Sequence, residues 1–355
     1  MRRQLFCKNV MLVAAAIIVF LIAGQSLTLA ASPNFEKRTL TLAGYYSPGN
    51  LEDPMYRACQ HFAKLVNDYT NGKVTVEISG EGQIYSSGAE MVKAAMMGSL
   101  DVVWVPQSRH TACGLKNWKI FSVPGLLTAG GGGESYYGKR LYAFFNDPKV
   151  HALFSKEAQS KGLKLFTVVA DQPLQLIARE PYQPDDLKGL QLGCPGALGY
   201  RLIAERYQFS AVPLVATGER YSAIKQGMIY GILGTSKHLS LTYKWVDLIP
   251  YAMSEPWSTI IHTLEVSSMK WESYGGDLKK LLEEKVIPEA TEFARKAYAE
   301  SVENIDQKYL AAGGKNYSWS EKDVMALRAW YPTAAEKFRD ELKDAQLLDL
   351  ALSYQ

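Results

Sequence analysis

The sequence lacks the usual frames for covalent or cofactor chemistry. No Gly-x-Gly-x-x-Gly follows its first strand, and there is no P-loop and no Gly-x-Ser-x-Gly elbow. Dinucleotide, phosphate-loop and serine-hydrolase chemistry therefore have no scaffold to stand on. Histidine is scarce and scattered at His61, His110, His151, His238 and His262, with no His-x-x-x-His pair, which argues against a zinc site. No metal and no cofactor are expected. Cysteine is scarce too. Beyond residue 30 only Cys59, Cys113 and Cys194 remain, an odd number with no Cys-x-x-Cys spacing, so at most one intramolecular disulfide can form. Cys59 shares a helical stripe with Met55, Phe62, Val66 and Tyr69 and reads as a small buried apolar residue. A thiol-dependent periplasmic enzyme would have to use Cys113 or Cys194 with a distant histidine.

Charge of one sign is also missing. The chain carries 39 Lys and Arg against 36 Asp and Glu, and the three basic residues within positions 1–30 account for the whole excess. No basic footprint for nucleic acid or an anionic membrane remains. Long apolar runs are absent except at residues 11–24, which follow Arg2, Arg3 and Lys8 and precede the small residues around Ala30 and Ala31. That order is the pattern of a secretory signal peptide, and the run is shorter than the roughly 20 residues a membrane span needs. Residues 1–30 are therefore expected to be a signal, with the exported protein beginning at Ala31 or Ser32 in the periplasm. No cysteine follows the run to take a lipid anchor.

The 355 residues, 47% hydrophobic and 21% charged, suffice for two domains with real cores. "RTLTLAGYY" alternates as a strand, "SPGN" breaks it, and "DPMYRACQHFAKLVNDYTNG" has helical spacing. "VTVEIS", "GAEMVKAAMMG" and "LDVVWVP" repeat the strand, helix, strand order. Such alternation predicts an α/β protein with a mostly parallel sheet. The glycine run in Leu126–Gly138 has no Gly-Lys-Ser/Thr after it and reads as a flexible loop. A second α/β segment starts at "KLFTVVADQPLQLIA", and from Gly276 the pattern is helical, with Pro288 and Gly313–Gly314 as kinks or ends.

Six segments in order carry a resemblance: "TNGKVTVEISGEGQI", "GSLDVVWVP", "SVPGLL", "DDLKGLQLGCPGA", "AVPLVATGERYSAIKQG" and "MIYGI". Together they resemble the periplasmic solute-binding proteins of TRAP transporters, the dicarboxylate-receptor type, from about Thr39 to the C-terminus. The resemblance implies a two-lobed periplasmic binding fold of the type II kind, with crossing strands and a long lobe-spanning helix within "GGDLKKLLEEKVIPEATEFARKAYAESVENI". Lobe I would hold 31–168 and about 259–299, and lobe II 169–258 and about 300–355. The implied function is capture of a small organic solute and delivery to TRAP membrane permease subunits. A ligand sensor for a signalling receptor is the alternative use of the same clamp.

The family normally places a carboxylate-binding arginine where this chain has Gly193, a second anchor near Gln172, and an asparagine near Gly234, where Tyr230 stands in place of an aspartate. Two vacated positions suggest a pocket that has lost an anion clamp and gained room, and hence a solute other than a simple C4-dicarboxylate. A neighbouring base among Arg109, Lys237 and Arg201 could instead rebuild the clamp. Tyr45, Tyr46, Trp104 and Tyr230 fall at expected rim positions and offer flat apolar area; for Trp104 the apolar strand fits core and rim alike. Asp171 could accept from a solute hydroxyl or ammonium, or pair with a surface base. Gln107 and Arg109 follow a strand end, where ligands of open α/β sheets gather.

Overall fold

The computed structural model describes residues 33–46, 48–127, 134–214 and 217–354; the expected export segment lies outside them. Strand β1 (Arg38–Gly44) leads to helix α1 (Pro54–Tyr69), where the Asp53 carboxylate accepts from the Met55 and Tyr56 amides. Pro54 fills a first-turn position that needs no N–H donor. Next come β2 (Val74–Ser79), α2 (Gly88–Met96) and β3 (Val102–Pro106), with α3 (Gln107–Ala112) leaving the end of β3. Helices α4 (Glu134–Asn146) and α5 (Pro148–Gln159) precede the long strand β4 (Leu163–Ala178). A second alternation runs through β5 (Gln191–Cys194), α6 (Leu198–Tyr207), β6 (Ser210–Pro213), α7 (Thr217–Lys225), β7 (Gly231–Thr235) and α8 (Lys237–Thr242). After β8 (Tyr251–Met253) and β9 (Ser258–Ser267), helices α9 (Ser268–Ser273), α10 (Gly276–Leu281) and α11 (Ile287–Ala311) follow. The chain closes with β10 (Lys315–Tyr317), α12 (Glu321–Glu336) and α13 (Gln346–Ser353).

The strands order as β2-β1-β3-β9-β4-β7-β5-β6. Each wing is parallel, as the alternation predicts: β1 with β2 and β3, and β5 with β6 and β7. The middle is not, because β9 pairs antiparallel with both β3 and β4, and β4 pairs antiparallel with β7. These two long strands tie the wings together. The first half of β4 buries Leu163, Leu165 and Val168 in the core of the first wing, while Leu176, Ile177 and Ala178 enter the two cores of the second. Helix α11 makes the same passage, with Ala290, Ala294 and Tyr298 packed beside α1 and Tyr309 in a core of the second wing.

Pro288 does not end the helix, contrary to one of the two expectations for it. It cannot donate to a carbonyl one turn back, and a widened π turn over Leu282–Val286 precedes it, so α10 and α11 continue as one helical run. The C-terminal residues depart from expectation. Leu327 and Tyr331 of α12 pack in the second wing, but Ala335, Phe338, Leu347, Leu348 and Ala351 share the core of the first. Apolar residues every three or four positions signal a buried face without saying which core buries it.

Candidate functional site

Strand β4 is irregular where it passes between the wings. Its register against β9 shifts between Ala170 and Pro173, a bulge at a proline that has no ladder hydrogen bond to give. Asp171 and Gln172 occupy this bulge and border two cavities, of about 580 Å³ and about 560 Å³. The larger has walls from both wings: α3 and the end of β1 on one side, and Tyr200, Arg220 and α8 on the other. The smaller is walled largely by α11.

One end of the larger cavity is cationic. Arg109, on α3, donates to the Tyr45 hydroxyl at 2.6 Å and lies 4.8 Å from the centre of the Tyr45 ring, while its Nε is buried without a partner among the described residues. Arg220, on α7, donates from Nε to the Leu214 carbonyl at 2.9 Å. Burial pushes the Arg220 pKa down; Tyr200 and Tyr45 oppose that, and the positive charge of Arg109 adds to it, so the two cations feel each other. Neither arginine has a carboxylate within ion-pair distance among the described residues. Glu81, which also lines the cavity, accepts from the Gly88 amide. Removing cations from water without a counter-charge is costly, so this end favours an anion.

The other end is built from acceptors. His262 Nε2 lies 3.0 Å from the Asp171 carboxylate and 3.2 Å from the Tyr298 hydroxyl, and the His262 ring stacks on Tyr298 at 5.4 Å. The other ring nitrogen, Nδ1, is buried without a partner among the described residues. Asp53 stands nearby; burial raises its pKa, its two amide bonds lower it, and Asp171 raises it further. The Tyr45 ring links the two ends, 6.4 Å from His262.

Of the residues singled out from sequence, Tyr45, Tyr46, Gln107, Arg109, Asp171, Gln172 and Gly234 line this cavity. Gln107 is already engaged, accepting from the Ile261 amide at 3.0 Å. Gln172 directs its amide toward Ser301 on α11, at 3.4 Å. Asp171 pairs with a buried histidine rather than with a surface base. Three residues are not brought there. Trp104 is 0% exposed inside the core against α1, since its strand is covered on both faces. Tyr230 is 40% exposed outside the cavity. Gly193 does not reach the cavity either: a Cβ there would lie 2.9 Å from Ile229 Cδ1 and 3.3 Å from Leu214 Cδ1.

The expectation that two glycines leave empty volume is thus overturned. Aliphatic side chains fill the space beside Gly193, and at Gly234 a Cβ would fall 2.4 Å from the Tyr200 ring. Of the substitute bases considered, Arg109 is in place, Lys237 faces the smaller cavity paired with Asp306, and Arg201 is exposed on α6. Sequence reasoning missed Arg220, His262 and Asp53. Arg220 stands in the segment "AVPLVATGERYSAIKQG", after the one that holds Gly193, and nothing local in the sequence turns it toward the cavity. Cys59, Cys113 and Cys194 are free thiols. Burial pushes Cys113 up and Cys194 up to about 11, opposite to what a thiolate nucleophile requires.

Comparison with known proteins agrees with this geometry. A family model described as bacterial extracellular solute-binding protein, family 7, matches residues 47–341. The C4-dicarboxylate-binding periplasmic protein DctP of Rhodobacter capsulatus is 23% identical over 272 residues, 74% of this chain and 75% of that protein. A TRAP periplasmic solute-binding protein from Ochrobactrum anthropi superposes with a TM-score of 0.79 at 18% identity, covering 90% of this chain and 95% of that one. The sugar-acid-binding protein DctPAm of Advenella mimigardefordensis, solved with galactonate, gives 0.76 at 16% identity over 91% and 100% of the two chains. The fold is that of the two-lobed TRAP periplasmic binding proteins, and the chain belongs to family 7 of the bacterial extracellular solute-binding proteins.

Proposed function

We propose that this chain is an extracytoplasmic receptor that closes its two lobes on a small organic acid and hands it to a TRAP-type membrane permease. Lobe I comprises the first wing with the N-terminal part of α11 and the C-terminal α13; lobe II comprises the second wing with α12. The observation that carries this reading is the pair of cations, Arg109 and Arg220, facing one cavity from the two wings without an acidic partner. A binding protein leaves such charges for its ligand to neutralise, and the closed form is favoured only by contacts the open form lacks.

The test begins with native mass spectrometry of the exported protein purified without added solute. Calorimetric titration then uses succinate, D-galactonate and 4-aminobutyrate beside the neutral polyol galactitol. The expected result is binding of at least one acid and none of galactitol. Galactitol binding as tight as that of the best acid, or no acid bound at all, overturns the reading. Delivery is checked by uptake of the bound acid in cells carrying the permease, which should require this chain.

A further inference from the structure

The position that customarily holds the family's arginine is sealed here, and a different arginine has entered the cavity. Beside Gly193 the space belongs to Ile229 and Leu214. Leu214 also supplies the carbonyl that holds Arg220 Nε, so one residue closes the old position and anchors the new one. The Arg220 terminal nitrogens have no ion-pair partner among the described residues, and Arg109 reaches the same end from the opposite wall. The Asp53 and Asp171 carboxylates line the same cavity and act on each other, with His262 Nδ1 buried beside them without a partner among the described residues, whereas Arg220 feels Arg109, Tyr45 and Tyr200 rather than either carboxylate. The cavity is therefore polarised, with donors at one end and acceptors at the other.

We propose that Arg220, with Arg109, seats a single solute carboxylate, and that the wall of Asp53, Asp171 and His262 selects a hydrogen-bond donor at the other end, so that the solute is a monocarboxylate bearing hydroxyl or ammonium groups. This rests on the reading of the chain as an organic-acid receptor. A second carboxylate, as in succinate, would meet Asp53 and Asp171 and be repelled. A hydroxyl or ammonium there would donate to them. Relocation moves the anion contact from a strand to a helix and changes which acids fit. Arg220 acts here as a specificity-determining residue, and Gly193→Arg should not restore the older preference while Ile229 and Leu214 fill its path.

The experiment titrates wild type, Arg220→Met, Arg220→Lys and Asp53→Asn with D-galactonate, 4-aminobutyrate, succinate and galactitol. Asparagine keeps the cap of α1. Wild type should bind D-galactonate or 4-aminobutyrate at least tenfold more tightly than succinate; which of the two binds better separates a hydroxylated from an amino acid solute. Arg220→Met should cost about ten- to a hundredfold in acid affinity, the range for losing a hydrogen bond to a charged group. Arg220→Lys should recover part of it, and Asp53→Asn should narrow the gap to succinate. Partial rescue by Arg220→Lys, at a urea midpoint unchanged in both Arg220 variants, is the readout that a merely structural role would not give. Acid binding unchanged in Arg220→Met, or succinate bound more tightly than both monocarboxylates, overturns this proposal while leaving the receptor intact. Absence of binding by every acid overturns the receptor reading and this one with it.

Discussion

Gly193, Gly234 and Gly196 look alike in sequence and differ in what surrounds them. Gly234 has φ +79°, and a Cβ there would sit 2.4 Å from the rigid Tyr200 ring. Both strain and overlap oppose any side chain. At Gly193 the nearest atom is the tip of Ile229, at 2.9 Å, which can turn aside; at Gly196, also on the cavity wall, no heavy atom of the described residues lies within 4 Å. Gly234→Ala is therefore expected to cost about 2–5 kcal/mol, from roughly 1–2 for a left-handed residue and 1–3 for overpacking. Gly193→Ala should cost less and Gly196→Ala within about 0.5 kcal/mol. Urea unfolding of the three variants checks the order, and a Gly234→Ala midpoint equal to that of Gly196→Ala would refute it. A motif marks a glycine's place in the chain. Whether the missing side chain leaves a void or makes room for an aromatic ring depends on residues tens of positions away, and so it was not legible here.

Helix α3 is six residues long, too short to hold its own shape, yet it carries Arg109. Its inner face is fixed by His110, fully buried, whose Nε2 bonds the fully buried Glu265 carboxylate on β9 and lies 3.2 Å from the Thr263 hydroxyl. Breaking a buried pair by removing one partner costs about 3–5 kcal/mol because the other is stranded, whereas replacing both with apolar groups can be nearly neutral. His110→Phe alone should lower the urea midpoint by that much at unchanged slope, and adding Glu265→Leu should return most of it. A double variant no better than the single would show that α3 is held in some other way. At this scale the sequence was informative about elements: the alternation in "VTVEIS" and the apolar run in "LDVVWVP" match β2 and β3. The pair beneath α3 joins residues 155 apart. No local period encodes such a contact, which is why the cavity's backbone frame was readable and its second arginine was not.

Across the whole molecule, β4, β9 and α11 join the wings, and the β4 bulge at Asp171 and Gln172 lies between the larger cavity and the smaller. Rotation about these crossings would shut the larger cavity and widen the other, a hinge motion in which a few residues absorb the change. A rigid pocket and a hinged clamp make different predictions for the same bound acid. Either gains stability by mass action, about 2.7 kcal/mol at a ligand concentration one hundred times Kd, so a rise in melting temperature does not separate them. Only the clamp contracts. A compact chain of this length has a radius of gyration of about 20 Å, and small-angle scattering should record a decrease that saturates at the same acid concentration as the rise in Tm. Asp171→Asn should keep much of the binding while altering the contraction, because the Asp171 contact to His262 joins the two crossing strands at the bulge. If wild-type scattering stays constant while Tm climbs to its plateau, the acid is filling a preformed cavity and the wings do not move.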